Sequence, residues 1–213
     1  MSVQAATRER VAPEEESAGI RSEENTRAYT YSLLAASLAG PPTQSFIDCL
    51  KQIPVRSPDD HRDMALAWET LRAAGHSAPS CQELDDEYHA LFIGMGRGEL
   101  VPFGSWYQTG FLMDQPLSAL RDDLKKLGFT RQENVKEPED HIAALCETMA
   151  MIVADEAISF QAARSFFKKH LEPWAEQFFA DLVGADNATF YAAIGEFGGR
   201  YIRFEKQYLD MLA

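Results

Sequence analysis

The run Glu137-Pro138-Glu139-Asp140-His141 sets three carboxylates and an imidazole within five residues. Adjacent Asp140 and His141 can tune each other's pKa, which is what a general acid and base require, and Glu137 can assist. The same carboxylates can bind a cationic ligand. They also suit the start of a helix, where negative charge complements the positive end of the dipole. Capping and ligand binding both stay open on these residues alone. A second candidate is Val101-Pro102-Phe103-Gly104-Ser105-Trp106-Tyr107, an aromatic-rich, turn-rich loop. Aromatics in such a loop either plug the core or line a groove. Trp106 and Tyr107 suit both roles, and Phe103 leans to the core.

Other chemistry finds little support. Gly94-Met95-Gly96-Arg97-Gly98 follows a helical pattern instead of a strand and lacks the Gly-Lys-Ser/Thr ending of a phosphate loop. It reads as a helix end followed by a connection. A di-iron bundle needs Glu-x-x-His pairs, and the steps from Glu137 and from Glu139 to His141 are too long and too short respectively. No Ser or Cys sits in a nucleophile elbow. Cys49, Cys81 and Cys146 show neither CxxC nor histidines at ligand spacing, which points away from disulfides and zinc and towards a reducing compartment. The expectation is a protein with no catalytic residues, no metal and no built-in cofactor.

Charge narrows the partners. With 20 Lys+Arg against 33 Asp+Glu the formal net charge is -13, which repels nucleic acid and anionic membrane faces and favours a basic or amphipathic partner. No stretch approaches the roughly 18 apolar residues of a membrane helix. Met1 to Ile20 is polar and acidic where a signal peptide is basic and then apolar, so a cytoplasmic location is expected.

The elements that must position these candidates read as helices throughout, and no alternation of β type competes. Residues 1–21 read as a disordered acidic tail, because they hold almost no bulky apolar residue. A first helix is expected from an N-cap at Ser22 to Gly40-Pro41-Pro42, a second through Phe46 to Ile53, and a third ending before Gly75. Ser80 opens a fourth that stops at Gly94, and Pro116 opens a helix capped by Gly128. The polar stretch 130–137 is expected to be a hinge between an N-terminal helical part, 22–129, and a C-terminal part, 138–213. Such a hinge would allow a domain-swapped dimer beside the monomer. Pro138 is expected to open the next helix, with Glu139 and Asp140 in its first turn. Helices through Phe160 to His170 and from Pro173 follow. The last carries a seam of Phe190, Ile194, Phe197, Tyr201, Phe204, Tyr208 and Met211 in steps of three and four.

Four segments together resemble the TorD/DmsD family of redox-enzyme maturation chaperones. They are Glu87-Tyr88-His89-Ala90-Leu91-Phe92-Ile93-Gly94; Pro102 to Tyr107 with Gly110; Glu137 to Ala143 followed by Glu147 and Met149; and His170 to Trp174 with Phe178, Asp181 and Leu182. The likeness covers most of Tyr29 to Leu209. It implies an all-α fold of two unequal helical parts, with no enzymatic activity. It also implies binding to the twin-arginine leader of the catalytic subunit of a molybdopterin oxidoreductase, which prevents export through the Tat pathway before cofactor is inserted; nothing in the chain names the client, and formate dehydrogenase is the one expected. Carried over, Glu137, Pro138, Asp140 and His141 would form the hinge-side wall of the leader site. Tyr88, Leu91, Phe92, Trp106 and Tyr107 would form its apolar side. The family commonly has an acidic residue where this chain has Gly104, and it has been linked to weak guanine-nucleotide binding, for which this sequence has no motif of its own. From a different class, a helical nucleotide hydrolase would use His141 with Asp140 or Glu137.

Overall fold

The computed structural model describes residues 13–54, 62–94, 97–130 and 137–212, with only the backbone course given for 13–21 and 62. Residues 1–12 of the expected tail and most of the expected hinge lie outside the described residues. Within the described residues the backbone is helical, without a strand.

Helix α1, Pro13–Leu38, starts well ahead of Ser22, which is an interior helical residue and not a cap. Apolar periodicity marks only the packed part of a helix. Helix α2, Gln44–Lys51, is capped by Thr43, whose side chain accepts from the Phe46 amide at 3.3 Å. Helix α3, Arg62–Ser77, runs through Gly75 instead of stopping there. A Cβ on Gly75 would lie 2.7 Å from that of Leu50, so the glycine lets α2 pack against α3 at close range.

Helix α4, Cys81–Tyr88, opens with the Ser80 and Glu83 capping box and runs on into a π-turn over His89–Ile93 that Gly94 closes at φ 61°. Residues 104–109, expected as loop, form the short helix α5, Gly104–Thr109, and α6, Gln115–Lys126, follows from Pro116 to the left-handed Gly128. The C-terminal elements are α7, Ile142–Ala154; α8, Phe160–His170; α9, Ala175–Gly184; and α10, Phe190–Met211.

Helix α1 lies along α7, and α3 and α9 lie on α10, so helices from both sides of residues 131–136 contribute to one core. In the α10 seam Phe190, Ile194, Phe197 and Tyr201 are buried, Phe204 and Tyr208 are half-buried, and Met211 is exposed. The seam therefore leaves the core over its last turns. Beside it, Arg27 of α1 reaches Glu205 of α10, with Nε donating to Oε2 at 3.0 Å and a second bond to Oε1, both side chains buried.

Candidate functional site

The acidic run and the aromatic loop are stitched together by backbone. Phe103 and His141 form an antiparallel bridge pair. The Gly104 amide donates to the Asp140 carbonyl and the Ile142 amide to the Pro102 carbonyl, each at 2.9 Å. The Asp140 carboxylate accepts from the Ser105 amide at 2.8 Å. Asp140 thus caps α5 and not the helix that follows it in sequence. Pro138 accordingly opens a turn rather than a helix, with the His141 amide donating to its carbonyl at 3.2 Å, and α7 begins only at Ile142. Glu139, expected in a first helical turn, instead meets Arg121 of α6 at 2.9 Å.

His141 is the N-cap of α7, its Nδ1 accepting from the Ala143 amide at 3.1 Å. That role requires an unprotonated Nδ1. Burial agrees, pushing its pKa down from 6.5 to about 4 and leaving a neutral ring at pH 7. The ring also packs edge-on against Phe103, with centroids 5.0 Å apart. Asp140 is likewise buried, and its Oδ1 has no hydrogen-bond partner in the protein. Both side chains serve backbone amides, so the geometry gives no support to an Asp-His acid-base pair facing a substrate.

Helix α9 supplies the wall behind α5. Tyr107 packs on Trp174 at 5.3 Å and on Phe178 at 5.9 Å, and its hydroxyl donates to Asp181 at 2.9 Å. Burial, helped by Asp181, raises the Tyr107 pKa, so the phenol stays protonated. Gly104 lies against the indole of Trp174, where an added Cβ would stand 3.0 Å from Nε1. The acidic side chain common at this position in the family would need Trp174 to shift, although that indole is buried and donates to the His170 carbonyl at 2.8 Å. Trp106 is half-buried, with the guanidinium of Arg97 4.4 Å above its ring.

The remaining candidates come from the end of α4. Tyr88 is buried with its hydroxyl directed to the Leu38 carbonyl at 3.5 Å, and Leu91 is wholly inside the core. Phe92 is half-buried between Tyr88, at 5.0 Å, and Tyr191, at 5.4 Å. Burial, followed by the charge of Glu137, pushes the Tyr88 pKa up to about 12. Glu137 is exposed and Pro138 half-buried.

The sequence reading missed two carboxylates. Glu87 accepts from the amides of Thr189, Phe190 and Tyr191 at 2.7, 3.2 and 2.8 Å, capping α10 from about a hundred residues away in sequence. Glu99 does the same for Asn187, at 3.2 Å from its amide and 2.8 Å from its side chain. Nothing local marks a cap supplied from elsewhere in the chain. Among the described residues no group of three or more His, Cys, Asp and Glu could hold a metal. Gly98 folds back on the π-turn, where a Cβ would lie 2.4 Å from the Phe92 carbonyl carbon, so this glycine serves close packing.

The model of the family described as nitrate reductase delta subunit matches residues 57–180. The chain belongs to this family, that of the TorD proteins. This TorD-family chain is 27% identical over 140 residues to the chaperone protein TorD of Vibrio cholerae, covering 61% of this chain and 64% of the relative's own length. It is 24% identical over 202 residues to TorD of Vibrio atlanticus, covering 86% and 94%. A candidate Tat proofreading chaperone, DmsD of Haemophilus influenzae, is 30% identical over 115 residues, covering 53% and 55%. The fold is shared with a candidate redox enzyme maturation protein of Archaeoglobus fulgidus, at a TM-score of 0.52 and 16% identity over 83% of this chain and 93% of that one.

Proposed function

We propose that this TorD-family chain is a cytoplasmic chaperone that binds the twin-arginine leader, or the apo form, of a molybdopterin oxidoreductase catalytic subunit and delays its Tat export until cofactor is inserted. The observation that carries this reading is the stitching of the Glu137 to His141 run to α5, which brings an acidic segment, with Glu137 exposed, together with half-buried aromatics. A twin-arginine leader joins two guanidinium groups to an apolar stretch, and its receptor needs those two features side by side.

Burial divides the labour among the site residues. Phe92, Trp106, Tyr107, Glu137 and Pro138 keep surface that a peptide can touch. Tyr88 and Leu91 support them from within the core, and Asp140 and His141 are positioning residues that fix α5 and α7 relative to each other. Exposed ion pairs contribute only about 0 to 1 kcal/mol each. Apolar burial must therefore supply most of the affinity, at about 25 cal/mol per Å².

The test is affinity capture from an anaerobically grown host. The tagged chain is expected to retain a molybdoenzyme catalytic subunit still carrying its leader, with formate dehydrogenase the first client to look for. Recovery only of mature, leader-free enzyme, or of no molybdoenzyme, would contradict the proposal.

A further inference from the structure

Three consecutive apolar side chains stand out from the fold between α5 and α6: Phe111 is 71% exposed, Leu112 52% and Met113 67%. Hydrogen bonds hold them there. The Gly110 amide, at φ 80°, donates to the Trp106 carbonyl at 2.8 Å. The Phe111 amide donates to Thr109 Oγ1 at 3.3 Å, and the Met113 amide to the hydroxyl of buried Ser105 at 3.1 Å. Met113 sits at φ 60°, a left-handed conformation that is strained for a residue with a side chain. A turn that holds strain while showing three apolar side chains to water adds nothing to folding stability, and so it reads as a surface built for a partner.

The chemistry around the turn defines that partner. Trp106, to which the turn is tied, already carries a guanidinium on its ring, that of Arg97. This face accepts an arginine by cation–π attraction. Phe111 lies five residues further on, just beyond the left-handed Gly110 that ends α5. A net charge of -13 favours a cationic occupant over a second copy of this chain.

We propose that the Phe111-Leu112-Met113 turn seats the apolar stretch of a twin-arginine leader while the Trp106 ring face that Arg97 covers takes one of its arginines, displacing Arg97. This deepens the proposed function and rests on it. The full chain is titrated by fluorescence anisotropy with a synthetic leader of two arginines and an apolar stretch, and with a peptide keeping the arginines but carrying serines in place of the apolar residues. The double variant Phe111→Ser, Leu112→Ser alters exposed positions, and its thermal melt checks folding. It is expected to weaken the full leader by about tenfold or more and leave the serine peptide unchanged. Arg97→Ala should tighten both peptides. A folded double variant that binds the full leader as the parent protein does would overturn the assignment of the turn while leaving the proposed function intact. Absence of binding of the full leader to the parent protein would overturn both. Concentration-dependent self-association that the double variant abolishes, with leader affinity unchanged, would assign the turn to a second copy and also overturn the inference.

Discussion

At the residue scale, the site depends on side chains that ionise readily in water but are buried here in service of backbone amides. Asp140 is the hub: its carboxylate holds the start of α5 and its carbonyl accepts from Gly104, so Trp106 and Tyr107 inherit their placement from it. His141 does the same for α7 as a neutral ring. This has a pH signature. In the unfolded chain the imidazole takes a proton near 6.5, whereas in the fold it resists protonation down to about 4. Between those values the unfolded state binds more protons, so stability is fully present above about 6.5 and is lost as pH falls through the window. The slope approaches 1.4 kcal/mol per pH unit. Burial also depresses His170, against the opposing pull of Asp123, and contributes in the same direction. His141→Asn keeps a capping acceptor without an imidazole, and urea melts from pH 7 to pH 4.5 are expected to show a shallower loss than the parent protein. An unchanged slope would show that His141 does not hold its ring neutral in the fold.

At the scale of elements, α1 is tied to α10 by the buried Arg27 and Glu205 pair, by the Tyr201 hydroxyl donating to the Arg27 carbonyl at 3.1 Å, and by Arg27 lying 4.6 Å over the Tyr208 ring. Glu205→Ala would leave a guanidinium buried without its counter-charge. The expected loss is about 3 to 5 kcal/mol in a denaturant melt. A loss below about 1 kcal/mol would place the pair in water's reach. Much of this architecture was legible in the sequence because it rests on local rules: Ser80, Pro116 with Gly128, and the first four members of the α10 seam fall where spacing puts them. Features that depend on tertiary contact were not legible. Gly75 looks like a helix stop until Leu50 is seen against it, and Asp140 looks like a cap for its own helix until α5 is seen beneath its carboxylate. The family-like motifs located the candidate site, but they did not distinguish side chains that face outward from those, such as Leu91, that lie inside.

At the scale of the molecule, the chain carries a formal net charge of -13, and in the proposed site the Trp106 ring lies under the chain's own Arg97. Electrostatics then set encounter rate and orientation while apolar contact sets residence time. The measurement that tests this account most directly is calorimetric titration of a synthetic twin-arginine leader into the full chain, beside the same peptide with both arginines replaced by glutamine. The leader is expected to bind one to one, the glutamine peptide about three- to thirtyfold more weakly through the loss of both arginine charges, and the gap between them to narrow as ionic strength rises. No heat with the leader, or equal affinity for the two peptides at every salt concentration, would contradict the claim that this chain recognises a twin-arginine leader.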